Sequence, residues 1–473
     1  MKRSKFSLSH HKLFTCDMGE LVPAGLTEVL PGDSFQHATS ALVRASPLLA
    51  PVMHPVHVRF HHFFVPTRLL WEDFENFITG GPDGMDDSEY PTVTADGNGF
   101  AEGSLADYLG IPTGVANLEV SALPFRAYAF IFNEMYRDQD LVASLGLSVA
   151  AGPDATTNTD LVNCAWEKDY FTSARPWEQK GADITLSIGD QAPVVFPNGV
   201  PSKVDHAFRA SNDQDLGNIL ARGGLGDESL KTQATVAVDN SSVYLNGTAD
   251  DPGDAFADLS QAESVSINDF RTAFALQRYQ EARARYGSRY TEFLAYLGVT
   301  SADSRLQRPE YLAGGRQTIQ FSEVLQTAEG NDPVGDLKGH GIGAIRSNRY
   351  RRFFSEHGYI VTLFSVKPKT MYMQGLARHW SRRTKEDYWQ KELQHIGQQE
   401  ILNKEIYAGH ALPDDTFGFQ DRYDEYRRNE STVHGDFRST LDHWHLAQKY
   451  ANDPVLNGDF VTSTPTKRVF AEQ

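Results

Sequence analysis

At 473 residues, with a formal charge of −18 and a mean hydropathy of −0.43, the chain is long enough for a large core yet polar for one. No run of about 18 apolar residues offers a membrane-spanning helix, and two cysteines, Cys16 and Cys164, are too few for a disulfide framework or a four-thiolate zinc site and suit a reducing cytosol. Length and polarity are reconciled by several small domains, or by one core carrying long surface excursions.

Taken in chain order, MKRSKFSLSHHKLF is basic, with Lys2, Arg3, Lys5 and Lys12 beside His10 and His11, and lacks the apolar centre of a signal peptide. We read residues 1–20 as an extended arm able to touch phosphates, although such charges are also ordinary terminal solubility. From Leu21 to Pro51 the prolines and glycines break helices and predict short strands and turns. In VHVRFHHFFVP, Val56, Val58, Phe60, His62 and Phe64 alternate with His57, Arg59, His61 and Phe63, which predicts a strand ended by Pro66. Leu69, Leu70, Phe74 and Phe77 then fall at helical spacing before Gly80-Gly81, and a turn-rich acidic loop runs from Pro82 to about Glu102.

Pro124 opens a helix whose apolar face is Phe125, Tyr128, Phe132, Met135 and Tyr136, followed by a small, polar surface loop over about 146–163. Residues 189–266 are the compositional outlier: many carboxylates face only Lys203, Arg209, Arg222 and Lys231, and Pro197-Asn198-Gly199 and Asn246-Gly247 read as turns between short apolar runs. This is read as a solvent-facing insertion with some hairpin content, or else a disordered acidic loop. A helix capped by Ser266 or Asn268 ends at Gly287, and a shorter one covers SRYTEFLAYLG. Strands are predicted at 318–325 and 359–366, and a helix around 386–396. Charge divides unevenly along this order. Residues 271–473 hold 28 basic and 25 acidic side chains, a net of +3, leaving 16 and 37 for residues 1–270, a net of −21.

The search for catalytic chemistry comes out nearly empty. There is no phosphate-binding loop ending in Lys-Ser/Thr, no nucleophile elbow and no H-E-x-x-H zinc helix. Gly339-His340-Gly341-Ile342-Gly343-Ala344 is a degenerate dinucleotide fingerprint without a preceding strand or a dependable helix after it. His61-His62 and His443-x-His445 read as packed or hydrogen-bonded histidines, and the carboxylates of 205–263 lack the EF-hand pattern, so no metal or cofactor is assigned. The densest basic-aromatic cluster is Arg349, Arg351 and Arg352 interleaved with Tyr350, Phe353 and Phe354. It suits base stacking with phosphate pairing and a subunit interface equally well.

Long blocks of the sequence resemble the major capsid protein of the Microviridae, in the gokushovirus-like branch. They are the opening MKRSKFSLSHHKLFTCDMGELVPAGLTEVLPGDSF, MHPVHVRFHHFFVPTRLLWEDFENFITGG (53–81), NEMYRDQDL (133–141), DYFTSARPWEQKG (169–181), RYTEFLAYLGVTSADSRLQRPEYLAGG (289–315), FFSEHGYIV, FGFQDRYDEYRRNESTVHGDFRSTLDHWH and KRVFA. They keep their order and cover most of the chain outside 189–266, where the departure is greatest. The acidic loop over 82–103 is the other departure.

The resemblance implies a mainly β fold, an eight-stranded antiparallel jelly roll with long insertions, and a non-enzymatic role. It further implies a homo-oligomer of sixty copies in a T=1 icosahedral shell, in the virion of a bacteriophage, assembled in the host bacterial cytoplasm around circular single-stranded DNA. Pilot or minor spike proteins, scaffolding proteins and a host cell-surface receptor follow as partners. Residues 189–266 become the candidate for a protrusion at the threefold axes, with a part in host attachment. Sixty copies at −18 carry a net formal charge of −1,080 around a polyanion. Since affinity for DNA comes from cationic neutralisation of phosphates, a separate small basic internal protein is expected, with the acidic insertion outward and the near-neutral C-terminal half and the N-terminal arm inward. A jelly-roll enzyme or lectin, or a minor or prophage structural protein, is the alternative.

Overall fold

The first strands follow one another closely: Val22–Val29 (β1), Ser34–His37 (β2), Ser40–Arg44 (β3) and Val56–Pro66 (β4). Thr92–Thr94 (β5) and Glu119–Ser121 (β6) pair with each other, as do Val194–Val195 (β7) and Phe256–Ala257 (β8). Glu310–Leu325 (β9), Leu337–Arg346 (β10), Tyr350–Phe353 (β11), Gly358–Pro368 (β12), Gln398–Leu402 (β13) and Thr416–Asp421 (β14) complete the set. The computed structural model describes residues 4–182, 184, 194–195, 256–257, 267–287, 289–327 and 333–471. Two compact units are present, Met1–Lys180 with Gln280–Gln473, and Gly181–Tyr279. Apart from β7 and β8, the expected insertion at 189–266 lies outside the described residues, and so do its predicted turns.

In the first unit a six-stranded antiparallel sheet runs β1-β12-β4-β9-β10-β3, with β11 and β2 paired in a ribbon and β13 and β14 in another. The chain is mainly β, and the curled sheet makes half a barrel, consistent with a jelly-roll capsid fold. Among the described residues the main sheet has six strands and not eight.

The strand read at 56–66 has the predicted bounds, and its two faces serve two cores. Val56, Val58 and Phe60 join Ile319, Ile345, Phe364 and Val366 on one face, under Phe14, Cys16 and Met18 of the N-terminal segment. On the other face Phe63 and Val65 pack with Val361 and Leu363 against the helix Leu123–Ile131. Each large apolar side chain buried this way contributes roughly 1.5–3 kcal/mol. A third core around Tyr170, Phe171, Ile401 and Phe417 supports β13 and β14.

Several expectations shift. Leu69 and Leu70 do not share one helix with Phe74 and Phe77. A short turn over Thr67–Leu69 and a helix Phe74–Thr79 are separated because the Glu72 amide bonds outward to the Val149 carbonyl (3.0 Å). The helix ends as predicted, at Gly80 with φ 83°. The acidic loop contains β5, and the polar loop after 146 is partly buried, with Asp154 closed to solvent. The helix after the insertion is Ile267–Tyr286, so Asn268 lies inside it and is not its cap; Ser266 is outside the described residues.

No helix forms around 386–396. Tyr388, Trp389 and Ile396 are all exposed there, and a short helix without a buried face is not held. The strand expected at 318–325 begins at Glu310, and the glycine-rich 339–344 segment lies inside β10. Gly339, Gly341 and Gly343 alternate onto its buried face. A Cβ at Gly339 would sit 2.2 Å from the Ala50 carbonyl oxygen, so these glycines allow close packing and form no dinucleotide loop.

Candidate assembly and nucleic-acid interfaces

The N-terminal segment crosses the sheet face of the second core as an extended strip. Residues 4–18 make no backbone-to-backbone hydrogen bond among the described residues. The strip is held by side chains: Phe14 meets Tyr108 and Phe364 edge-on, and the Tyr108 hydroxyl donates to the Thr15 carbonyl (2.6 Å). Phe6, Leu8 and Leu13 are not so held, and Leu13 is 99% exposed.

Between this strip, β2, β3 and the sheet lies an open concavity of about 2220 Å³. Small-molecule sites reach roughly 1,000 Å³. The size and the half-apolar walls, which include Phe35, Val43, Phe321 and Phe364, suit a polypeptide segment better than a small ligand.

The cations singled out from sequence do not form one site. Lys2 and Arg3 lie outside the described residues. Lys5 is exposed on the strip. Lys12 is an anchor: its ammonium donates to the carbonyls of Pro23 (2.9 Å) and Tyr108, and burial lowers its pKa against the opposing pull of Asp107.

The arginine–aromatic cluster is taken apart by strand alternation. Tyr350 turns in to share a hydrogen bond with His37 (3.0 Å), and Phe354 is buried against Phe64. Arg352 pairs with Glu310 (2.6 Å). Arg351 lines the concavity and Arg349 is exposed, neither with an ion-pair partner among the described residues. The histidine pairs behave as packed groups. His61 shares a hydrogen bond with the Tyr136 hydroxyl (2.6 Å), and His445 with the Phe437 carbonyl (2.8 Å). No group of three or more potential metal ligands occurs among the described residues.

The sequence did not reveal a second basic feature, on the outer face of the main sheet. Arg59 of β4 lies directly opposite Arg316 of β9, and Glu167 binds both, Arg316 at 3.2 Å. Beside them Lys367 is drawn in, donating to the Ala165 carbonyl (2.7 Å), and burial lowers its pKa. Arg346 ends β10 opposite Ser40 of β3, and Arg44 faces Ile342 four positions along. Only strand register brings these residues together, so no local motif announces them.

With an exposed apolar strip, an open concavity and a basic row on the sheet, the described residues present surfaces suited to contact with other chains. A family model for the phage capsid protein (F protein) matches residues 1–473. The chain belongs to that capsid-protein family. It is similar to capsid protein VP1 of Bdellovibrio phage phiMH2K, 38% identical over 98% of this chain and 89% of that protein. It is also similar to capsid protein VP1 of Chlamydia phage 1 (36%, covering 100% and 91%) and of Spiroplasma virus 4 (34%, covering 97% and 87%). The resemblance read from sequence is therefore borne out. As a capsid protein the chain is a component of the virion, and no helix among the described residues is long and apolar enough to cross a membrane.

Proposed function

We propose that sixty copies of this capsid protein close into a T=1 icosahedral shell around a circular single-stranded DNA genome. The observation that carries this is the end-to-end match to the capsid family, with three phage capsid proteins alike over nearly the whole chain. The exposed apolar strip and the open concavity supply the unfilled contacts that a multi-copy assembly covers.

In this reading the N-terminal segment, with Lys2, Arg3 and Lys5, faces inward. Arg349 and Arg351 serve contacts to DNA or to a neighbouring copy, and the acidic 189–266 insertion faces outward as the threefold protrusion used in host attachment. A chain of net charge −18 gives little bulk attraction to DNA, so a small basic internal protein accompanies the genome. Pilot or minor spike and scaffolding proteins complete the particle.

The test is negative-stain microscopy with mass photometry of the expressed chain, alone and with its scaffolding partners. Uniform closed shells near 60 × 52.7 kDa, about 3.2 MDa, support the reading. A monomer that stays single even with those partners present would overturn it.

A further inference from the structure

We propose that the row Arg59–Arg316–Arg346 on the outer face of the main sheet, extended by Arg44, is a phosphate-binding track for single-stranded nucleic acid. The proposal rests on the reading that the chain encloses such a genome.

Register builds the row. Arg59 and Arg316 are direct cross-strand partners. Arg346 continues the line. The Asn348 amide donates to the Gly314 carbonyl (2.9 Å), and a Cβ on Gly315 would sit 2.8 Å from the Arg346 carbonyl oxygen, so the end of β10 lies against β9 at this point. Neighbouring strands are roughly 4.8 Å apart, so three successive strands each present a guanidinium at one level of the sheet. Arg44 adds a fourth cation on the same face, four residues along β3 from Ser40, the partner of Arg346.

Like charges placed directly opposite each other destabilise a sheet. Here a single carboxylate, Glu167, compensates Arg59 and Arg316, while Arg346 and Arg44 have no ion-pair partner among the described residues. On β9, β10 and β3 the alternate side chains of this face, within 316–324, 338–346 and 40–44, are exposed or half-exposed. None of them is Asp or Glu, in a chain where acidic residues outnumber basic ones 62 to 44. A face kept merely soluble would mix the two signs.

The neighbours favour nucleic acid over protein. Thr318, Gln320 and Ser322 accompany the arginines, the side-chain types that bond phosphate and sugar oxygens. A protein interface would centre on buried aromatic anchors, and this face carries no Phe, Tyr or Trp within those segments. For the same reason the track holds phosphates without stacking bases, so it has little base preference.

The test uses the full-length chain before assembly, a labelled oligo-dT and fluorescence anisotropy over a salt series, with shell formation scored separately on the same preparations. Each phosphate contact on single strands contributes about 0.7 to the slope of log affinity against log salt. R346Q should lower the slope by about 0.7 and R316Q/R346Q by about 1.4, with R346K close to the parent. R346Q removes no ion pair, so it remains informative if the double variant folds poorly. An unchanged slope in R346Q, or a parent chain that forms shells yet does not bind oligo-dT, overturns the track. Equal binding of poly-glutamate with the same loss in R346Q would reassign the face to an acidic protein and also overturn it. The expected slope losses in a chain that never closes into shells would overturn the shell reading and leave the track standing.

Discussion

Arg126 and Asp154 form an ion pair, Nε to Oδ2 2.8 Å, with both side chains closed to solvent. The remaining guanidinium nitrogens donate to the Leu70 and Ala150 carbonyls, both at 2.9 Å. Asp154 accepts from the Thr156 amide (3.0 Å) and from the Thr157 amide (2.9 Å) and hydroxyl (2.6 Å). The pair fastens the polar loop to the helix Leu123–Ile131 with every charge satisfied. Removing one partner leaves the other charge buried, so Asp154→Ala should cost about 3–5 kcal/mol in urea unfolding. A loss below about 1 kcal/mol would mean that the loop relaxes and water reaches Arg126.

The same carboxyl sets an acid limit. Burial alone would raise its pKa, but the Thr157 and Arg126 hydrogen bonds outweigh burial and hold it below the ordinary carboxylate range. A lowered folded pKa stabilises the fold above the unfolded value of about 3.9, and that contribution is lost as pH falls from there through the folded value. Melting temperature measured from pH 5 down to pH 2 should fall less steeply in Asp154→Asn, from a lower start.

His62 works in a higher window. On β4 it is fully buried, bonded through Nδ1 to the Thr362 hydroxyl of β12 (2.8 Å), and packed against His37 of β2 (4.7 Å) and Tyr350 of β11 (5.7 Å). Burial first, then the neighbouring His37 and His61, push its pKa down to about 3. The neutral form therefore stabilises the fold fully above the unfolded value of about 6.5. Below it each pH unit removes up to about 1.4 kcal/mol, until the folded value is reached. His54, likewise buried and pushed down to about 4, adds to this slope. Between pH 6 and 4, His62→Gln should unfold with a pH slope smaller by about one proton, and an unchanged slope would show that His62 is protonated in the folded protein too.

How much of this was legible depended on whether the signal was local. Strand β4 announced itself because its apolar residues alternate and a proline ends it. Strand β10 was hidden because Gly339, Gly341 and Gly343 occupy its buried face, and glycine carries no hydropathy to alternate. The helix expected near 386–396 had suitable residues but no core to cover. The arginine–aromatic cluster was visible as composition, yet alternation sent Tyr350 inward and gave Arg352 to Glu310. The Arg59–Arg316–Arg346 row could not be read from sequence, because pairing between distant strands creates it.

The apolar strip separates stability from assembly. Phe6 and Leu13 are 80% and 99% exposed, so Phe6→Ser with Leu13→Ser should leave the isolated chain within about 0.5 kcal/mol of the parent. If these side chains seat on a neighbouring copy, closed shells should become scarce in negative-stain fields while the melting temperature holds. Undiminished shells would show that the strip makes no contact between copies.

Glu167 gives the opposite lever on the basic face. It lies between two arginines that strand pairing holds side by side, and among the described residues it is the single carboxylate that binds both. As a partly exposed group its ion pairs contribute up to about 1 kcal/mol. Glu167→Gln should therefore lower stability only slightly, while leaving two guanidiniums that repel each other and lack a counter-charge. Occupying them with phosphates relieves that repulsion, so oligo-dT should bind a few-fold more tightly at low salt, and the gain should fade as salt screens it. Weaker binding in Glu167→Gln would instead mean that the carboxylate positions Arg59 and Arg316 for the strand, and that their geometry matters more than their free charge.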